Sequence, residues 1–314
     1  MLTKFQKEQH DKWITGSKMP TILGLNPWES PWALFCKMAG VLEDDFKGNA
    51  RTKKGEYMEP AMADYCKKEL GWNLIEQPEG KKHPTLPFFG LPDRLRLGSN
   101  GKPDAVVEFK YVGWNMRGKW IDDDNFIVPD YVEPQPRFYS ILYKLPAVVF
   151  AFIEGCDDPA IIDLPRNPEI EDFLTEKGLK FFDDLHADPP RYPEPDASDS
   201  CTQTLQKMFA RNDGEMIPGD QNLLDHAIIY KRASQEEKEA EKIKKLHGNF
   251  LRAAIDTKDG VLFDDGSKAT WKRSEGRLVF NQKKFEAENI ELAQRYYEPV
   301  PGFRSLRVTI KKEV

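Results

Sequence analysis

The sequence has 314 residues, of which 31% are charged, and its formal net charge is −6 at pH 7. The mean hydropathy is −0.63, and no apolar run approaches the roughly 20 residues that span a bilayer. The opening MLTKFQKEQHDKW lacks the apolar core of a secretion signal, so we expect a cytoplasmic protein. Its four cysteines form no Cys-x-x-Cys pair, which argues against a structural zinc or an iron–sulfur cluster. The acidic total does not indicate nucleic-acid binding, although it can hide a local basic channel.

The first part of the chain carries three helix signals. Thr15 or Ser17 is expected to cap a short helix that ends at Gly24. Ser30-Pro31 is typical of a helix start, and Gly40 of its end. A third helix is expected to begin around Glu59-Pro60 and to end at Gly71.

A β-hairpin follows these helices. Residues 91–97 and 104–110 have strand composition, and Gly98-Ser99-Asn100-Gly101 between them is turn chemistry. Alternation along the second strand places Glu108 and Lys110 on one face. Further strands are predicted at residues 73–77, 147–153 and 160–164, with a helix over 131–145. The sequence therefore predicts an α/β fold around a small sheet.

A second part begins after residues 187–200, whose proline and small polar residues predict a linker or an extended arm. Apolar residues between 223 and 250 follow helical spacing, which predicts a long amphipathic helix with one packed face. Strands near residues 268–272, 277–280 and 305–310 and a helix near 282–296 are also expected. We thus expect units at residues 1–186 and 201–314, the latter an α+β appendage.

The hairpin gathers residues that suit metal chemistry. Magnesium takes oxygen ligands, often one or two carboxylates plus substrate phosphates. Asp93, Glu108 and the carbonyl of Phe109 supply such oxygens, and Lys110 can orient or help deprotonate a water and offset phosphate charge. The pattern predicts metal-assisted phosphodiester hydrolysis. On these residues alone, a surface hairpin whose charges face water remains an alternative.

Several motifs occur in an order that resembles one family. They are Gly16-Ser17 with Ile22-Leu23-Gly24, Ser30-Pro31, Gly55 with Glu59-Pro60, Pro92-Asp93, Glu108-Phe109-Lys110, and Gln135 with Tyr139. In this order, roughly residues 10 to 155 resemble the YqaJ-type viral recombinases, relatives of the lambda-type phage exonuclease within the PD-(D/E)xK nuclease superfamily. Residues 276–308 are also similar to the C-terminal region of long phage members.

The resemblance implies a restriction-endonuclease-like nuclease core and a 5′-to-3′ exonuclease that acts on linear double-stranded DNA. Such an enzyme uses Mg²⁺, with Mn²⁺ expected to substitute, and generates 3′ single strands for phage-type recombination. Asp93 and Glu108 match the metal ligands, and Lys110 matches the catalytic lysine. The remaining implied catalytic residues are Glu59, Gln135 and Tyr139. For Glu59, a plain role at the positive end of a helix remains an alternative.

Residues for DNA binding are also implied. Ser17 matches the family's contact to the 5′-phosphate, and a helix N-terminus suits an anion; a simple helix cap is the alternative. Relatives carry an arginine seven residues earlier, where this chain has His10. Lys12, Arg51, Lys53 and Lys54 are candidate substitutes. Trp114 and Arg117, in the segment after the lysine strand, are candidates for contact with the strands.

The family also implies partners and a setting. Lambda-type relatives form a ring of three subunits around DNA, so a homotrimer is expected here, and a single-strand annealing protein is a candidate partner. We expect a phage or prophage protein in the cytoplasm of a bacterial host, without a membrane partner. Two other functions stay open: an endonuclease of restriction or repair, and a non-catalytic DNA-binding or scaffold protein that retains the fold.

Overall fold

The computed structural model describes residues 3–44, 48–77, 79–299, 302 and 304–310. The chain divides into two compact units, Met1–Phe209 and Ala210–Val314. Within the described ranges, no helix is both long and apolar enough to cross a membrane. The predicted fold class, α/β with a small mixed sheet between helices and an α+β appendage, is confirmed.

The first unit contains seven helices and ten strands in its described residues. The helices are α1 Lys4–Lys12, α2 Met19–Ile22, α3 Pro31–Met38, α4 Ala50–Lys68, α5 Pro134–Tyr143, α6 Pro168–Leu185 and α7 Asp199–Met208. The strands are β1 Ile14–Thr15, β2 Asn73–Ile75, β3 Lys81–Lys82, β4 Phe88–Gly90, β5 Arg94–Leu97, β6 Pro103–Val112, β7 Ile121–Asp122, β8 Asn125–Phe126, β9 Ala147–Ile153 and β10 Ala160–Leu164. Single 3-10 turns cover Gly16–Lys18 and Trp114–Lys119.

A five-stranded mixed sheet carries the unit, in the order β10-β9-β6-β5-β2. Strands β6 and β9 run parallel, and the other neighbours are antiparallel. The predicted hairpin is present as β5 and β6, and strands β9 and β10 have the predicted bounds. A three-stranded sheet, β1-β4-β3, was not predicted, because its two- and three-residue strands carry no alternation to detect.

Strand β6 separates two hydrophobic clusters. Val107 and Phe109 pack with Met62 and Cys66 of α4, while Val106 belongs to the larger cluster that includes α5. Since side chains alternate along a strand, Glu108 points away from α4, toward the side where α5 lies. The alternation thus places the polar residues of β6 between the sheet and α5.

One predicted helix start is wrong. Helix α4 begins at Ala50, because the Asn49 side chain caps it by accepting from the N–H groups of Arg51 and Thr52 at 2.9 and 3.1 Å. Pro60 lies inside the helix, and the burial of its later turns against the sheet offsets the hydrogen bond that Pro60 removes. Glu59 is therefore an interior helix residue, and the alternative role at a helix N-terminus does not apply.

The predicted arm belongs to the first unit. Tyr192 stacks on Trp32 with ring centroids 5.2 Å apart, and the Trp32 indole N–H points at the sulfur of Met208 at 3.3 Å. The Ser30 amide donates to the Ser200 hydroxyl at 3.1 Å. These contacts hold residues 187–200 and α7 against α3, so the division of the chain falls after Phe209, later than the expected boundary at residue 201.

The second unit has helices α8 Gln221–Ile255, α9 Gln282–Glu288 and α10 Ile290–Gln294, and strands β11 Gly260–Leu262 and β12 Lys268–Thr270. The long predicted helix is α8, but its apolar residues are exposed within the described unit, Ile243 by 59% and Phe250 by 67%. The strands predicted at 277–280 and 305–310 are not formed, since these described residues join no sheet.

Candidate active site

The hairpin brings Asp93 beside the second strand. Asp93 precedes β5, and the register pairs Arg94 with Val107, which places Asp93 at the level of Glu108 and Phe109. The Phe109 amide donates a hydrogen bond to Asp93 Oδ2 at 2.7 Å. The turn chemistry between the strands thus brings the two predicted carboxylates together.

Lys110 begins a chain of polar contacts toward helix α5. Its ammonium donates to Glu108 Oε1 and, at 3.1 Å, to Gln135 Oε1. The Gln135 amide nitrogen lies 3.2 Å from the Tyr139 hydroxyl. Pro134 and Pro136 lie in the first turn of α5, where no backbone N–H is needed, so they leave Gln135 in register. The structure therefore brings the predicted residues of the hairpin and of α5 together.

Burial and mutual charge shift the pKa values in this cluster. Burial and the neighbouring Glu108 raise the pKa of Asp93 well above its ordinary value. Burial also raises the pKa of Glu108, although Lys110 opposes this shift. For Lys110, burial lowers the pKa, but the carboxylates of Glu108 and Asp93 outweigh it and raise the pKa overall. The lysine is thus held as an ammonium that offsets two crowded carboxylates.

The donor set fits a magnesium ion. Glu108 Oε2 is buried, and no described residue donates a hydrogen bond to it; a buried oxygen of this kind calls for a partner. Together with Asp93 and the Phe109 carbonyl it offers only hard oxygen donors, as magnesium prefers. No group of three or more His, Cys, Asp and Glu side chains with metal-binding geometry occurs in the described residues. Water and substrate phosphate would complete the coordination, as is usual for this ion.

Glu59 contacts a residue that the sequence reasoning missed. Arg94 Nη1 donates to Glu59 Oε1 at 2.7 Å and to the carbonyl of Asp93, and its second nitrogen lies 3.3 Å from Glu76. Arg94 directly follows Asp93, so alternation sends its side chain to the opposite face, toward α4. The guanidinium thus ties the α4 carboxylate to the backbone of the residue that precedes β5.

The Gly16-Ser17 segment lies against helix α5. A Cβ on Gly16 would lie 2.7 Å from Cε1 of Tyr139, so only glycine fits at this close approach. Ser17 is exposed, and its hydroxyl lies 3.0 Å from His10 Nε2 and 3.2 Å from the Thr15 hydroxyl. Neither Thr15 nor Ser17 caps a helix through its side chain, contrary to the expectation, because Ser17 lies within a 3-10 turn and bonds to His10 instead.

Lys18, the next residue, was also missed. It is buried, and its ammonium donates to the carbonyls of His10 and Trp13, the latter at 2.9 Å. Burial lowers the pKa of Lys18 to about 8. The only sequence signal is a lysine beside a Gly-Ser pair, and because lysines are usually exposed this pattern does not predict a buried one.

The other predicted DNA contacts lie on the surface. Lys12 lies 5.1 Å from the ring centroid of Trp13, and Arg51 is exposed in the first turn of α4. In the described residues, neither forms a hydrogen bond with Ser17. Trp114 is 64% exposed, and Arg117 lies 5.4 Å from its ring centroid.

The fold and this cluster define an α/β protein with a PD-(D/E)xK arrangement, in which an aspartate before one strand meets a Glu-x-Lys pair on the next. Residues 6–139 match the family model described as the YqaJ-like viral recombinase domain. This is the family that the ordered motifs resemble, and the match covers the residues that carry them.

The chain is similar to two further proteins along its sequence. The uncharacterized protein YqaJ of Bacillus subtilis (strain 168) is 21% identical over 288 residues, 87% of this chain and 86% of that protein. The uncharacterized protein MG373 of Mycoplasma genitalium is 31% identical over 96 residues, which cover 29% of this chain and 34% of that protein.

Two solved structures show weaker likeness. An alkaline exonuclease (LHK-Exo) from Laribacter hongkongensis has a TM-score of 0.45 and 15% identity, covering 59% of this chain and 93% of that chain. A phage related exonuclease from Haemophilus somnus 129PT has a TM-score of 0.41 and 15% identity, covering 55% and 94%.

Proposed function

We propose that the protein is a metal-dependent exonuclease that digests linear double-stranded DNA from its 5′ ends and leaves 3′ single strands for phage-type recombination. The observation that carries the proposal is the buried cluster of Asp93, Glu108 and Lys110, in which one carboxylate oxygen lacks a partner among the described residues. The match of residues 6–139 to the YqaJ-like viral recombinase domain supports it.

Each residue of the cluster has a distinct task in this proposal. Asp93, Glu108 and the Phe109 carbonyl would hold a magnesium ion, for which manganese would substitute. When bound, the ion supplies Lewis acidity at the scissile phosphate and lowers the pKa of a water. Lys110 stays protonated, orients the attacking water and offsets the charge that develops on the phosphate. Gln135 accepts a hydrogen bond from Lys110 and is itself bonded to Tyr139, so the two residues fix the position of the lysine. The ion pair of Glu59 and Arg94 holds the backbone of Asp93 at the start of β5.

Selection of the DNA end is assigned to the Gly16-Ser17 segment. The exposed Ser17 hydroxyl and the neighbouring His10 bind a terminal 5′-phosphate. The positive charges of Lys12 and Arg51 attract the phosphate from a longer distance. Because Gly16 packs on Tyr139, this segment adjoins the same helix that faces Lys110. The protein works in the cytoplasm of a bacterial host in this proposal, with a single-strand annealing protein as a candidate partner.

The first prediction tests the chemistry. Asp93→Ala, Glu108→Ala and Lys110→Ala are each expected to lower the rate of DNA hydrolysis at least a hundredfold, about the loss on removing one preorganised charged group. Loss of either carboxylate also weakens the binding of Mn²⁺ in calorimetry, whereas loss of the lysine does not. Circular dichroism checks that each variant is folded.

A matched control lies on the same strand. Asp104 of β6 pairs with Arg96 at 2.8 Å, away from the cluster, so Asp104→Ala is expected to keep wild-type activity. The substrates are linear duplexes labelled at either end, with phosphorylated or hydroxyl 5′ termini, beside a closed circle. Cleavage of the circle would identify an endonuclease, and DNA binding without hydrolysis in magnesium a scaffold protein. Full activity of Lys110→Ala would contradict the role of the lysine.

A further inference from the structure

Glu154 is a carboxylate outside the cluster that joins three elements of the first unit. It lies in the turn after β9 and accepts hydrogen bonds from the Lys54 ammonium of α4, from the Tyr111 hydroxyl of β6 at 2.7 Å, and from the Trp114 amide at 2.8 Å. Tyr111 directly follows Lys110, and Trp114 opens the 3-10 turn after β6. The carboxylate therefore fixes the start of this turn relative to the strand that carries Glu108 and Lys110.

The Trp114 ring packs against the backbone of the neighbouring Gly155. A Cβ on Gly155 would lie 2.1 Å from Cζ3 of Trp114, so the ring rests directly on the glycine backbone. The backbone of Gly155 has a φ of +81°, which also favours glycine. Trp114 nevertheless remains 64% exposed. Glu154 thus holds the Trp114 backbone and Gly155 supports its ring, so this exposed tryptophan has a defined position on the surface.

Arg117 completes this feature with a positive charge. Its guanidinium lies 5.4 Å from the centroid of the Trp114 ring. An aromatic ring attracts and steadies a guanidinium while leaving its N–H groups available to an oxygen acceptor. The turn thus presents a steadied cation shortly after the strand that bears Lys110.

The negative charge of Glu154 is balanced by Lys54, so it does not cancel the positive charge of Arg117. Its hydrogen bond from Lys54, followed by those from the Trp114 amide and the Tyr111 hydroxyl, lowers the pKa of Glu154 to about 2. The group is therefore ionised at neutral pH and balanced by Lys54. It follows that Lys54 is engaged here, whereas the Arg117 guanidinium has no hydrogen-bond acceptor among the residues that the structure describes.

We propose that Glu154 is a positioning residue for DNA: it holds the Trp114–Lys119 turn so that Arg117 contacts a phosphate of the duplex backbone. The inference rests on the proposed function, because it takes DNA to be the substrate. Glu154 itself does not touch DNA, and its effect passes through Trp114 and Arg117. Loss of Glu154 therefore weakens substrate binding and leaves the chemical step in place.

The test uses the full chain and a short linear duplex with a 5′-phosphate. Glu154→Gln is expected to raise KM about tenfold, the range of one charge-assisted hydrogen bond, with kcat within about twofold of wild type. Binding in Ca²⁺, which separates affinity from cleavage, should show a salt dependence that is shallower by about one phosphate contact. Arg117→Gln should give the same changes, and the double variant no more than Arg117→Gln alone. Tyr111→Phe, which removes one hydrogen bond to Glu154, should shift KM in the same direction by less.

The matched control is Lys177→Gln on α6, since Lys177 also lies over an aromatic ring, 5.3 Å from the centroid of Phe173. It is expected to leave KM and the salt dependence unchanged. Additive losses in the double variant, or wild-type affinity of Glu154→Gln, would overturn the inference. A wild-type chain that binds the duplex without cleaving it contradicts the proposed nuclease, while the binding measurements still decide the role of Glu154. A wild-type chain that does not bind DNA overturns both.

Discussion

Among single residues near the candidate site, Lys18 is unusual because it is a buried lysine. It is buried beside Ser17, and two backbone carbonyls accept from its ammonium. Burial lowers its pKa from 10.5 to about 8. A lysine in such a place costs folding free energy while it is charged, and groups with pKa values shifted in this way are concentrated at functional sites. An anion bound at Ser17 would gain from that charge at neutral pH.

The shifted pKa predicts how stability depends on pH. Between pH 8 and 10.5 the unfolded chain binds the lysine proton and the folded chain has released it, so the unfolding free energy rises with pH in this window. The rise attributable to Lys18 is at most about 3 kcal/mol. Denaturant unfolding across the window should show it in the wild type and not in Lys18→Met. Lys67→Met, an exposed residue of α4, should keep the rise; a Lys18→Met profile parallel to the wild type would contradict the shift.

The residues of the hairpin were predictable and their outside partners were not. Asp93, Glu108 and Lys110 are brought together by turn chemistry and strand alternation, which are local in sequence. Arg94 with Glu59, and Glu154 with Lys54, join residues far apart in the chain. Since their meeting depends on how α4 packs on the sheet, no local pattern indicated it.

The same distinction holds for whole elements. Strands β9 and β10 were placed correctly because each is a short apolar run bounded by turn residues. For α4, Asn49 and Glu59-Pro60 are both valid start signals. The Asn49 cap starts the longer helix, in which Pro60 is an interior residue, and the packing of the later turns on the sheet offsets the hydrogen bond that Pro60 removes. A local pattern does not rank the two signals, because this compensation comes from tertiary packing.

Helix α5 and the Gly16–Lys18 turn form one functional element through their close contact, and this can be tested. Gly16→Ala places a methyl group 2.7 Å from the Tyr139 ring, so we expect a loss of about 1–3 kcal/mol in unfolding free energy. Activity should fall as well, because Tyr139 holds Gln135 and Gln135 holds Lys110. Gly55→Ala is the control: it lies inside α4 with nothing within 4 Å of the added Cβ, and should stabilise by about 0.5–1 kcal/mol. Equal stability of Gly16→Ala and wild type would disprove the close contact.

At the scale of the whole molecule, the two units differ in how much apolar surface they bury. Both hydrophobic clusters lie in the first unit, within residues 14–185. In the described part of the second unit, the buried apolar residues are Ile255 and Ala293, while Leu246 and Phe250 of α8 are exposed by 55% and 67%. Apolar surface of this extent marks an interaction site in soluble proteins. With a net charge of −6 the chain also has little general attraction for DNA.

The family resemblance implies a ring of three subunits, and both properties agree with it. We therefore expect a homotrimer that encloses the duplex and buries the apolar face of α8 between subunits. Light scattering on the full chain should give the trimer mass, and a chain ending at Phe209, which keeps both clusters, should be a folded monomer. Leu246→Glu should dissociate the trimer because it places a charge in the buried face, whereas Lys245→Glu, at the exposed neighbouring position, should not. Dissociation should also convert processive digestion of long duplexes into release after few steps. A full-length monomer that digests long duplexes without release would refute enclosure by a trimer, and would leave α8 as a surface for a different protein.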